Sequence, residues 1–150
     1  MSSGAHLWLI VLKAHAALRA HAEAQVRSLG LGFSDFAVLE VLLHKGPLPV
    51  NTIGDKVRLT SGSITAAVDR LEAHKLVTRR DDASDRRARV VHLTPAGQKL
   101  IEAAFADHAA AMERATAGLT AAERVQCAAL LKKLGRYAAE LAPGVLPSKA

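Results

Sequence analysis

Between Leu76 and Leu93 the hydrophobic period of this 150-residue chain drops from three or four residues to two, and at Thr94 it changes back. So short an alternating stretch cannot supply a sheet-built core, so the chain must be mainly helical with a small β element inserted late. The runs Leu76 to Arg80 and Arg89 to Leu93 are β-capable and flank the polar loop Asp81-Asp82-Ala83-Ser84-Asp85-Arg86-Arg87-Ala88, which predicts a hairpin with a charged tip. Before it, Leu7, Val11, Ala14, Leu18, Ala22 and Val26 form one long apolar stripe from Ala5 to Leu29, ended by Gly30 and Gly32. Ser34 is the expected N-cap of a second helix through Val38, Leu39, Leu42 and Leu43, stopped by Gly46-Pro47. After a very short strand expected at Leu48 to Val50, Asn51 should cap a short helix through Ile53 and Val57. Beyond the turn at Arg58-Leu59, Thr60 should cap a longer helix through Ile64, Ala67, Val68 and Leu71 to about Lys75.

Thr94-Pro95, a hydroxyl followed by proline, reads as the start of a fifth helix through Leu100, Ala104 and Ala111. Thr120 to Glu123 matches a capping box and opens a sixth through Cys127, Leu131, Leu134 and Ala138. The expected segmentation is a terminal dimerisation helix over 1–33, a central lobe over 34–94, further dimerisation helices over 95–142 and a flexible tail over 143–150. The terminal helices carry apolar stripes that the central lobe alone cannot cover, so a homodimer is expected.

Half the residues are hydrophobic but only 3% are aromatic, so the interior must be Ala, Leu and Val between closely spaced helices. Cys127 is the only cysteine, which excludes an internal disulfide and Cys-rich zinc sites and suits a reducing, cytoplasmic setting. The apolar run Ala5 to Leu12 lacks a basic leader and is soon interrupted by Lys13, His15 and Arg19, and no stretch reaches the roughly 20 apolar residues of a membrane span. The expectation is an unprocessed intracellular protein with no membrane association. There is no Gly-rich phosphate loop, no GxSxG and no paired-acid motif, so the chain is not expected to be an enzyme. His15 and His21 are six apart rather than three or four, and no metal or cofactor is expected; His108, beside Asp107 and near Glu113, is the least poor ligand candidate. Cys127 falls on an apolar stripe and reads as a small buried hydrophobe rather than a sensor.

The net charge of +6 suits a polyanion, and its placement says more. Helix, short helix, longer helix and charged hairpin, in that order, make a winged helix-turn-helix. The start of the longer helix would then meet base edges through Thr60, Ser61, Gly62, Ser63, Thr65 and Ala66, small side chains that allow close approach. Arg70 would meet a phosphate, and Arg86 and Arg87 at the hairpin tip would enter a minor groove. An ordinary solvated loop is the competing reading, because the hairpin's five arginines stand among three aspartates.

The segment Asp85-Arg86-Arg87-Ala88-Arg89-Val90-Val91-His92-Leu93-Thr94 fits DxRxxxxxLT, and Thr60 to Arg80 reads TSGSITAAVDRLEAHKLVTRR. Both resemble the MarR family of transcription regulators, over nearly the whole chain. That family often has glycine where this chain has Lys75 and a basic residue where it has Ala66. The resemblance implies a dimeric repressor on a pseudo-palindromic duplex, with Arg87 in the minor groove and Asp85 orienting it. It also implies a small, often phenolic or aromatic effector between lobe and dimer helices, where Trp8, His15, Arg19 and Phe36 are the matching candidates. Trp8 and Phe36 also suit a core role. The alternative is a winged-helix architectural or protein-interaction dimer with no effector.

Overall fold

The computed structural model describes residues 3–85 and 87–141; Arg86 and the tail from Pro143, both named above, lie outside the described residues. Residues up to Met112 form one compact unit and those from Glu113 a second.

In the first unit, α1 (Gly4–Ser28) is capped by Ser3, whose hydroxyl accepts the N–H of His6 at 3.2 Å. Gly30, with φ of 76°, turns the chain after it. Helix α2 (Phe33–Lys45) begins two residues earlier than expected, with Gly32 rather than Ser34 at the N-cap, because Gly32 O already accepts the N–H of Phe36. Gly46, again in the left-handed region, ends it. Strand β1 (Leu48–Pro49) leads into α3 (Val50–Val57); Pro49, not Asn51, holds the N-cap, which suits a residue of fixed φ. Arg58, at φ 57°, makes the tight turn into α4 (Ser61–Ala73).

Strands β2 (Val77–Asp81) and β3 (Arg89–Leu93) pair antiparallel from Val77↔Leu93 to Asp81↔Arg89, and β1 joins the other edge of β3, giving the order β1-β3-β2. Helix α5 (Pro95–Ala115) follows at once. The core is one cluster that includes Val26 of α1, Phe36, Val38, Leu39 and Leu42 of α2, Ile53 of α3, Ile64, Ala67, Val68 and Leu71 of α4, Val77 and Val91 of the sheet and Ile101 of α5. Its aliphatic character explains why a chain so poor in aromatic residues still buries an interior.

Four of the six expected stripe positions on α1 are not buried; only Ala22 and Val26 are. The second unit contains α6 (Ala121–Leu141), whose start is the expected capping box: Glu123 Oε2 accepts the N–H of Thr120 at 2.8 Å, and Thr120 Oγ1 accepts the N–H of Glu123 at 3.3 Å. No described residue of α6 is buried. No helix of the described residues is long and apolar enough to cross a membrane.

Candidate nucleic-acid interface

Helix α4 buries Ile64, Ala67, Val68 and Leu71, so the 3.6-residue period turns Ser61, Gly62, Ser63, Thr65, Ala66 and Arg70 outward, all of them exposed. Its first turn is closed by Thr60, whose Oγ1 accepts the N–H of Ser63 at 3.2 Å. The hydroxyls beyond Thr60 are engaged too. Thr60 Oγ1 donates to Ser63 Oγ at 2.9 Å, leaving the Ser63 hydrogen free to donate outward, while Thr65 Oγ1 donates to Ser61 O at 2.8 Å. Thr65 therefore offers a partner an acceptor and a methyl group rather than a donor. A Cβ on Gly62 would meet nothing within 4 Å, so a partner surface can approach the backbone there.

Ion pairs hold α4 on both flanks. On the side of Ser63, the Arg70 guanidinium donates to Asp35 of α2, Nη2 to Oδ1 at 2.7 Å and Nε to Oδ2 at 3.4 Å; this hydrogen bond and the nearby charge raise the Arg70 pKa. On the side of Thr65, Arg79 of β2 lies between Asp69 and Glu72 of α4. Burial works against the charge on Arg79, but its hydrogen bonds to Asp69 and Glu72 outweigh that and raise its pKa. Glu72 also accepts the backbone N–H of Arg79 at 3.0 Å, the main reason its carboxyl is held below the usual carboxylate range. Arg70, expected from its position at a phosphate, thus has a protein partner in the free chain.

At the hairpin tip the acids serve the backbone. Asp82 Oδ1 accepts the N–H and the hydroxyl of Ser84, both at 2.9 Å, and the first of these is the main cause of its lowered pKa. Asp85 Oδ1 accepts the N–H of Arg87 at 2.9 Å. Asp85 thus fixes the turn on which Arg87 stands, through the main chain rather than through the guanidinium. Among the described residues no carboxylate pairs with the Arg87 side chain, which is exposed, and Arg89 lies 3.8 Å from Asp81 in a loose, exposed pair. A cleft of about 540 Å³ runs between the hairpin and the helix pair, with Asn51, Asp55, Ser61, Thr65, Arg87 and Arg89 among its walls. Composition points only to the arginines; Asn51 and Asp55 enter because α3 packs against α4, where a Cβ on Gly54 would come within 3.2 Å of Ile64.

The four effector candidates do not converge in one pocket. Phe36 is buried against the His108 ring, with centroids 4.9 Å apart, while Trp8, His15 and Arg19 are exposed on α1. Arg19 pairs with Glu23 and lies over the ring of Phe33 rather than Phe36. Trp8, whose bulk suits a core role, is 61% exposed. His108 meets Gln25 through Nδ1 at 3.0 Å, and among the described residues no group of three or more His, Cys, Asp or Glu is gathered as metal ligands would be. Cys127, expected to be buried, is exposed; α6 has no cover within its own unit, and the apolar stripe that suggested burial faces outward.

Residues 29–88 match the model of the MarR family. The HTH-type transcriptional regulator MhqR of Bacillus subtilis (strain 168) is 37% identical over 129 residues, covering 86% of this chain and 89% of the relative. The chain belongs to the MarR family. It is accordingly a DNA-binding transcription regulator and not an enzyme. Among solved structures, a probable transcriptional regulator from Pseudomonas aeruginosa is 29% identical with a TM-score of 0.72, covering 84% of this chain and 94% of its own. BpsR of Bordetella bronchiseptica, whose DNA binding is regulated by 6-hydroxynicotinic acid, is 26% identical with a TM-score of 0.75, covering 85% of this chain and 97% of its own.

Two features of the MarR pattern gain a physical reason here. The glycine frequent at position 75 answers to a left-handed residue: Lys75 has φ of 59° and closes the end of α4, where the Leu76 N–H reaches Leu71 O. The threonine that ends DxRxxxxxLT is a joint. Thr94 Oγ1 donates to Lys75 O at 2.7 Å and accepts the N–H of Gly97 at 3.0 Å, while its own N–H donates to Leu76 O at 3.0 Å.

Proposed function

We propose that this MarR-family protein acts in the cytoplasm as a homodimeric repressor on a pseudo-palindromic duplex, and that a small aromatic acid modulates it. In this reading the lobe is the stretch 34–94, and 1–33 and 95–142 supply the dimer contacts. The start of α4 meets base edges through Thr60, Ser61, Gly62, Ser63, Thr65 and Ala66; Arg70 takes a phosphate; Arg87, with Arg86, enters the minor groove from a turn that Asp85 fixes. The observation that carries it is the hairpin tip, where Asp82 and Asp85 bind backbone N–H groups and the guanidinium of Arg87 is left exposed. The acids are spent on fixing the turn, and the Arg87 guanidinium is left available for a phosphate-lined groove.

The dimer is supported by exposed apolar residues on both terminal helices, Leu7, Trp8, Leu9, Ile10 and Leu12 on α1 and Val125, Leu130, Leu131 and Leu134 on α6. An aromatic acid is supported by the response of BpsR to 6-hydroxynicotinic acid and by Arg19, a cation on α1 beside the Phe33 ring. Trp8 and His15 stay with Arg19 as candidates, whereas Phe36 is out of reach unless the lobe opens.

The deciding experiment titrates labelled duplexes of random and of upstream palindromic sequence across a salt series. Arg87→Ala should weaken both and lower the salt slope by about one per subunit. Ser63→Ala and Thr65→Ala should erode preference between the duplexes and leave the slope nearly intact. Unchanged affinity and slope for Arg87→Ala would remove the main support for the mechanism.

A further inference from the structure

We propose that Asp35 is a built-in competitor for the phosphate that Arg70 contacts, so that the free protein holds one of its DNA-binding cations in reserve. The proposal rests on the reading of Arg70 as a phosphate contact.

Three observations carry it. Arg70 lies two turns beyond Ser63 on the same outward flank of α4, so its guanidinium is placed to meet a backbone that runs alongside the helix. In the free chain that guanidinium is instead held by both oxygens of Asp35, in the fork geometry that a phosphate would also accept. A carboxylate here stands in for the anion. The pair is also exchangeable: the Arg70 side chain is 52% exposed and that of Asp35 is 18% exposed. The half-exposed guanidinium is screened by solvent, and a pair screened in this way couples by about fivefold in an equilibrium constant.

Each partner has somewhere to go when the pair opens. Arg70 gains a phosphate, whose counterions are released to solvent. Asp35 is the third residue of α2, after Phe33 and Ser34, so its negative charge remains beside the positive end of that helix. Arg79 on the opposite flank differs. Its side chain is only 15% exposed and shared between two carboxylates, so it is not free to trade. The competition is therefore confined to one flank, and it ties DNA affinity to whatever positions the first turn of α2.

Four full-length proteins test this: the native chain, Asp35→Asn, Arg70→Ala and the double variant, each titrated with a labelled duplex of mixed sequence at several salt concentrations. Circular dichroism checks folding, and Asp35→Ser serves as a second neutral variant. Asp35→Asn should bind about two- to fivefold more tightly with an unchanged salt slope. Arg70→Ala should bind more weakly, with the slope shallower by about 0.9 per subunit. The gain from Asp35→Asn should vanish when Arg70 is absent. No gain would overturn the competition, and an equal gain in the Arg70→Ala background would overturn it too by showing a bare charge effect. Native affinity and slope for Arg70→Ala would instead overturn the reading of Arg70 on which it rests.

Discussion

Among the described glycines Gly97 is the one with least room for a side chain, and Gly97→Ala measures how firmly α5 is joined to the end of α4. A Cβ there would lie 1.9 Å from the carbonyl oxygen of Leu76, whereas ordinary contact begins at 3.4 Å, so the two backbones must separate by about 1.5 Å. Neither can yield freely. The Leu76 N–H is bound to Leu71 O at 2.9 Å, and its carbonyl accepts the Thr94 N–H at 3.0 Å. Separation breaks that bond and the one from Thr94 Oγ1 to Lys75 O, about 1 kcal/mol each. Overpacking of a tight site adds about 1–3 kcal/mol, and alanine in a helix returns about 1 kcal/mol. The net loss is roughly 2–4 kcal/mol, or a fall in Tm of about 4–16 °C for a chain of this size. Thermal and urea unfolding at a fixed protein concentration would measure it. An unchanged Tm, or a rise equal to the helix-propensity gain alone, would refute the claim that these backbones are locked.

Lys75→Gly should act in the opposite sense, stabilising the protein by about 0.5–1 kcal/mol in urea unfolding because it relieves the left-handed lysine at φ 59°. Leu131→Lys with Leu134→Lys should convert a dimer into a monomer in sedimentation at micromolar concentration; a variant that stays dimeric would place the interface off α6. Because the folded-state pKa of Glu72 is lowered, the stability it contributes is present above its unfolded pKa and is lost as pH falls through the folded value. Glu72→Gln should therefore cost at most about 1 kcal/mol near neutrality, where the partly exposed pair is screened, and should flatten the decline in stability below about pH 4.

The order of elements is legible in the sequence because each boundary carries its own chemistry. Thr60 and the Thr120 to Glu123 box cap where expected, and Gly46 stops α2. The N-caps of α2 and α3 each lie two residues before the expected positions because Ser34 and Asn51 look like caps, while Gly32 and Pro49 fill the role with backbone conformation alone. At the site, outward positions on α4 follow from its period. The Arg70 pair with Asp35 spans 35 residues and the Gly97 approach to Leu76 spans 21, and no local pattern encodes such contacts. Cys127 departs from expectation for another reason: an apolar stripe predicts a buried face but does not say which chain buries it.

Helix α4 is thus held in two different ways. Its flanks are bound by side chains whose charges solvent and counterions can screen, and on the Asp35 side the contact is exposed enough to be exchanged. Its C-terminal end is bound at main-chain atoms, Lys75 O by the Thr94 hydroxyl and Leu76 O by the Thr94 N–H, beside a glycine with no spare volume, where there is no ion pair for solvent to screen. Displacing the first turn of α5 must therefore carry the end of α4 with it, whereas displacing the first turn of α2 would part Asp35 from Arg70. The first route moves the helix as a body and would alter the placement of Ser61, Gly62, Ser63 and Thr65 together. The second leaves the helix in place and alters one cation. A signal along α5 should consequently change sequence preference and affinity at once, while one along α2 should change affinity with preference preserved, and the two separate in titrations of the same protein on two duplexes.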